Sequence, residues 1–125
     1  MTRILFYFFA MSFLAGCAYN KMDMRCVGPP ATYATDIKPI LITHCYKCHT
    51  ASATDPDRNG SVFLDDFEVL QQLAKSPSSI NSSMSILEAR LRHVESPGMP
   101  YKATPLPDSI ICKFENWIQQ GAPNN

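Results

Sequence analysis

The segment His44-Cys45-Tyr46-Lys47-Cys48-His49 sets two thiols and an imidazole within five positions, Cys45 to His49. Any fold this chain adopts has to arrange these three groups around something, or against one another. Three chemistries use such a spacing. A dithiol pair exchanges disulfides, usually in a βαβ setting. A zinc ion takes thiolates and imidazoles, normally four ligands in all. A haem takes the two cysteines as thioethers and the adjacent histidine on its iron. The compartment decides first, because thiols outside the cytosol meet an oxidising environment.

The chain begins MTRILFYFFAMSFLAGC, with one charge, Arg3, ahead of an apolar run from Ile4 to Ala15. The run is too short to span a bilayer, which needs ~20 residues, and suits a signal h-region of ~7–15. Residues 1–16 therefore read as a signal peptide. Leu14-Ala15-Gly16-Cys17 resembles the bacterial lipobox, in which the cysteine takes a diacylglyceryl group and the chain is cut just before it. The plainer alternative is ordinary secretory cleavage beside a chance cysteine. A lipid on Cys17 puts at least two acyl chains on one site, enough for stable anchoring. The expectation is an exported protein, lipid-anchored to a bacterial membrane on its periplasmic or cell-surface side. Beyond Cys17 no second apolar run is long enough to cross a bilayer.

Residues 17–125 are of single-domain length. Losing residues 1–16 removes only Arg3 from 11 basic residues, against 11 acidic ones, so nothing favours nucleic-acid binding. Residues 17–34 lack periodicity and contain Gly28-Pro29-Pro30, which reads as a lipid-anchored linker stiffened at its distal end. The domain is expected over 35–125. Ile37, Ile40 and Leu41 predict a helix from about Asp36 to His44, with Thr35 or Asp36 as cap and Pro39 in its first turn. Val62 to Leu73 predicts a short extended piece and then a helix. Ile80, Met84, Leu87, Leu91 and Val94 step by 4, 3, 4 and 3, the spacing of one buried helix face. Ser85 and Glu88 form a candidate capping box inside that stretch, which would start the helix late. Ser96 to Pro107 holds four prolines and is irregular. Asp108 to Gln120 predicts an amphipathic helix with Ile110, Ile111, Phe114, Trp117 and Ile118 inward and Gly121 as its stop. The expected fold is all-α, a small domain of about four helices.

An exported chain with Cys45-x-x-Cys48-His49 and no βαβ pattern points to one covalent haem c. Cys45 and Cys48 would carry the thioethers and His49 the proximal nitrogen. A zinc site from the same residues would need a fourth ligand that the sequence does not show. For the sixth position on iron, His44 is too close to Cys45, Met22 and Met24 lie in the tether, and Met84 belongs to the apolar stripe. Met99, in Ser96-Pro97-Gly98-Met99-Pro100, offers a thioether from a proline-held loop and is the expected ligand. His93 is the rival.

These stretches, with Tyr33-Ala-Thr-Asp36-Ile-Lys-Pro-Ile40 and Trp117-Ile-Gln-Gln-Gly121-Ala-Pro123, resemble the class I monohaem cytochromes c. The nearer likeness is to short lipoprotein cytochromes of Gram-negative bacteria, and it spans residues 33–123. The resemblance implies a haem wrapped by helices, an N-terminal helix crossing a C-terminal one, and one-electron transfer at an exposed haem edge. It carries Cys45 and Cys48 over as thioether sites, and His49 and Met99 as axial ligands. The polar segment 54–60 departs from the pattern. There, Asp55-Pro-Asp57-Arg-Asn59-Gly60 matches half of a calcium loop, but position twelve is Asp66 and no entering helix precedes it. A solvated turn explains the same letters.

Of the 5 cysteines, Cys26 and Cys112 remain, and an oxidising compartment favours their pairing. The alternative leaves Cys112 as an apolar helix residue and Cys26 as a free thiol. The sequence therefore points to an electron carrier rather than an enzyme, since no acid–base constellation stands beside the motif. Its partners would be redox proteins, with Lys38, Lys47 and Lys102 as candidate docking charges. The competing classes are a haem sensor with a labile sixth ligand and a zinc-binding interaction module. Cys17→Ala is expected to release a soluble chain or leave the signal uncleaved, while the wild type partitions into detergent. Wild-type protein in the soluble fraction with Ala18 or a later residue at its free N-terminus would contradict the anchor.

Overall fold

Thr32 opens the first helical stretch by offering its hydroxyl to the Thr35 amide at 3.4 Å. The computed structural model describes residues 26–58 and 62–125. The signal peptide 1–16, the Cys17 anchor, the tether to residue 25, and Asn59 to Ser61 of the acidic loop lie outside the described residues. Tyr33–Ile37 forms a wide π-helical turn that runs directly into α1, Lys38–His44, with Pro39 as the second residue of α1. Asp36 accepts from the Thr32 amide at 3.0 Å and from Lys113 Nζ at 3.1 Å. The Thr32 amide, and next the Lys113 ammonium, hold its carboxyl below the usual range.

Asp66 caps α2, Phe67–Lys75, by accepting from the amides of Glu68 and Val69. Ser85 caps α3, Ile86–Leu91, accepting from the Glu88 amide at 3.1 Å. α4, Asp108–Gln119, follows Pro107 and ends before Gly121, whose φ of 88° is the left-handed conformation that closes a helix. Among the described residues there are four α-helices and no strand, only an isolated antiparallel bridge between Pro77 and Ser85. The fold is all-α.

The core gathers at Trp117, Phe114, Ile37, Leu41, Leu70 and Ile111, all fully buried. Tyr33 meets Phe67 edge-on at 4.7 Å, and both rings lie near Trp117, at 6.1 and 6.4 Å. One aromatic cluster thus joins the π-helical turn, α2 and α4. Trp117 Nε1 donates to the Pro123 carbonyl at 2.8 Å, so its polar edge is satisfied inside the core. Arg92, at the end of α3, pairs with Glu115 of α4 and with Glu88, and ties the two helices together. Burial, and then the Glu115 charge, push the Glu88 carboxyl up.

Two sequence expectations change. The stripe from Ile80 to Val94 is not one helix face: Ile80 is 67% and Val94 43% exposed, and α3 covers only its middle. Residues 76–86 instead fold back on themselves, with Ser78 N–H on the Met84 carbonyl and Ile86 N–H on that of Ser76. The spacing crossed a capped helix boundary, and beyond the Ser85 cap a period of 3.6 has no meaning. The stretch 26–34, grouped by pattern with the tether, is packed on the domain. Ala31 and Tyr33 are buried, and Gln120 of the α4 end donates to the Ala31 carbonyl at 3.1 Å.

Cys26 and Cys112 are joined in a disulfide that fastens this stretch to α4. The bridge separates its ends by 86 residues, for which chain entropy gives on the order of 4–5 kcal/mol as an upper figure. Replacing both cysteines by Ser is expected to lower unfolding free energy by about 2–4 kcal/mol, read from urea titrations. A change below about 0.5 kcal/mol would show that the crosslink contributes nothing to the folded domain.

Candidate functional site

The site grows out of the C-terminal end of α1. The Cys45 and Tyr46 amides both donate to the Leu41 carbonyl, at 2.8 and 2.9 Å, so the chain keeps winding past His44. Cys48 and His49 then donate to the Cys45 carbonyl at 3.1 and 3.0 Å. Two residues three apart in such a turn face the same way, which brings both thiols to one side. His49 is fixed by the returning chain. Its Nδ1 lies 3.1 Å from the Val62 carbonyl, and its own carbonyl accepts from the Leu64 amide at 2.8 Å. A carbonyl only accepts, so Nδ1 carries the proton in this contact and Nε2 keeps its lone pair for a metal.

Met99 arrives from the irregular segment between α3 and α4. Its amide donates to the Arg90 carbonyl at 2.8 Å. The Arg90 side chain holds the same segment, donating from Nη1 to the Pro97 carbonyl at 3.1 Å and pairing through Nη2 with Glu95 at 3.0 Å.

Cys45, Cys48, His49 and Met99 all line one cavity of about 810 Å³. Its walls are largely apolar, with Leu41, Leu64, Leu73, Leu87, Leu91 and Phe114 among them. That volume lies in the ordinary range for a cofactor pocket, ~300–1,000 Å³. Arg58 and Arg90 also line it, as do Asp55 and Asp57, so its rim carries both signs of charge. His44 lines it too, and shares a neighbouring pocket of about 350 Å³ with Lys47 and the 103–107 segment. His93 is not among the lining residues: it is exposed, and its Nε2 lies 3.2 Å from the Met99 carbonyl.

Burial, and then the charge of Cys48, push the Cys45 thiol up to about 12. The Cys48 thiol is also raised, by desolvation first and then by Asp55. A disulfide-exchange pair depends on the opposite shift, toward thiolate. The ligand atoms that converge within 4.8 Å among the described residues belong to Cys26, Cys112 and Glu115, not to Cys45, Cys48 and His49. Those two sulfurs are already bonded to each other and Glu115 already pairs with Arg92, so that group is committed elsewhere. Two thiols, a tied imidazole and a thioether thus line one largely apolar cavity.

The acidic loop is differently engaged. Asp55 accepts from the Asp57 amide at 2.9 Å, Asp57 pairs with Lys102 at 2.8 Å, and Asp66 is spent on capping α2. Sequence reasoning had no means of finding the Val62 carbonyl, since a backbone acceptor leaves no letter. Compared with family models, curated proteins and solved structures, the chain gives no match.

Proposed function

We propose that this chain is a membrane-tethered c-type cytochrome that carries single electrons between redox proteins. The observation that carries this reading is the meeting of Cys45, Cys48, His49 and Met99 on one apolar cavity, with the His49 ring tied through Nδ1 to Val62. In this reading Cys45 and Cys48 would hold the porphyrin through thioethers. His49 Nε2 and the Met99 sulfur would hold its iron. Haem, when bound, supplies a one-electron iron couple.

The chain's own residues set the conditions. The leucines and Phe114 keep water from the ring, and a neutral thioether ligand favours a higher potential than a second histidine would. The bond from His49 to Val62 stops the imidazole from rotating, so the same ligand geometry can serve both oxidation states. Of the candidate docking charges, Lys102 is already paired with Asp57 and lies over the Tyr101 ring, which leaves Lys38 and Lys47, both exposed, for a redox partner. Export and the Cys17 lipid would hold the carrier at a membrane.

Met99→Ala separates a carrier from a sensor. The ferric wild type is expected to show the weak far-red band of a thioether–iron bond, and the variant to lose it. The variant should also have a lower reduction potential and admit carbon monoxide to the ferrous iron. Ready carbon monoxide binding by the ferrous wild type would defeat the carrier reading and favour a sensor.

A further inference from the structure

His93 stands just past α3 in a conformation that a β-carbon disfavours, with φ of 54°. The Val94 amide closes the helix end on the Ala89 carbonyl at 2.9 Å. Glycine is the usual occupant of such a position, and a histidine there costs stability unless its side chain is used. The side chain is used. Its Nε2 donates to the Met99 carbonyl at 3.2 Å, while the Met99 amide donates to Arg90 on α3 at 2.8 Å. The residue is held from both sides.

Gly98 shows how closely the ring is seated. A β-carbon on Gly98 would lie 2.4, 2.6 and 2.7 Å from Cγ, Nδ1 and Cδ2 of His93, well inside any real contact. Gly98 itself does not occupy the left-handed region, so its backbone would accept an alanine. What excludes the methyl group is the imidazole.

We propose that His93 is a positioning residue: its ring, seated against Gly98 and bonded to the Met99 carbonyl, fixes the loop that carries Met99 on the cavity wall. Its bearing on ligation rests on the cytochrome reading, whereas the brace itself is a property of the loop. His93 does not line the cavity and acts through the Gly98–Met99 backbone.

The test uses the full chain as purified and the variants His93→Gly, Gly98→Ala and both together. Hydrogen exchange at the Met99 amide reads the loop with or without haem, and the temperature at which the far-red band fades reads ligation. His93→Gly is expected to keep or raise the temperature of global unfolding, because glycine suits the left-handed position. The same change should speed Met99 exchange by about two- to tenfold, the scale of displacing one ordered side chain. Gly98→Ala should do likewise, and the double variant should be no faster than His93→Gly, since its methyl group meets no ring. Unchanged exchange in His93→Gly, or full additivity in the double variant, would overturn the proposal. Should the purified chain hold no haem, the cytochrome reading fails, while the exchange rates still decide the brace.

Discussion

The packing of Tyr33 and Phe67 against the fully buried Trp117 organises the rest of this domain. The helices are short, and segments of 6 to 12 residues have little stability of their own. They persist because each buries a face in a shared core. Tyr33 brings in the N-terminal turn, Phe67 the start of α2, and Trp117 the end of α4. With those three ends gathered, Leu41, Leu87, Leu91 and Phe114 are left to wall a cavity rather than to close on one another. The disulfide from Cys26 to Cys112 and the pairing of Lys113 with Asp36 hold the N-terminal stretch on α4.

The site is placed by that frame in two independent ways. Cys45, Cys48 and His49 inherit their positions from α1, whose Ile37 and Leu41 are fixed in the core. Met99 inherits its position from α3, through the Arg90 carbonyl and the His93 ring. The two halves also meet directly, where Lys102 of the Met99 segment pairs with Asp57 of the loop that follows the motif.

Sequence reasoning reached the Ser85 cap and the Gly121 stop because each rests on local chemistry. A cap is a side chain reaching its own backbone, and a stop is one residue's φ. The apolar steps from Ile80 to Val94 ran past both ends of α3, and only the Ser85 cap marked where the helix begins. Sequence reasoning set the domain boundary at residue 35, although Ala31 and Tyr33 are buried, because two isolated core residues make no periodic pattern. The Val62 carbonyl and the seat of His93 on Gly98 depend on chain paths that only the folded backbone reveals. Where function depends on backbone atoms, the letters are silent.

The central claim is a covalent bond between porphyrin and this chain at Cys45 and Cys48. It is tested most directly by producing the full chain alongside cytochrome c maturation machinery and extracting it with acid–acetone. The account predicts that the haem absorption stays with the polypeptide, weakens or is lost with either Cys45→Ala or Cys48→Ala, and is absent from the double variant. Haem that washes out of the wild type, or stays attached in the double variant, would contradict it.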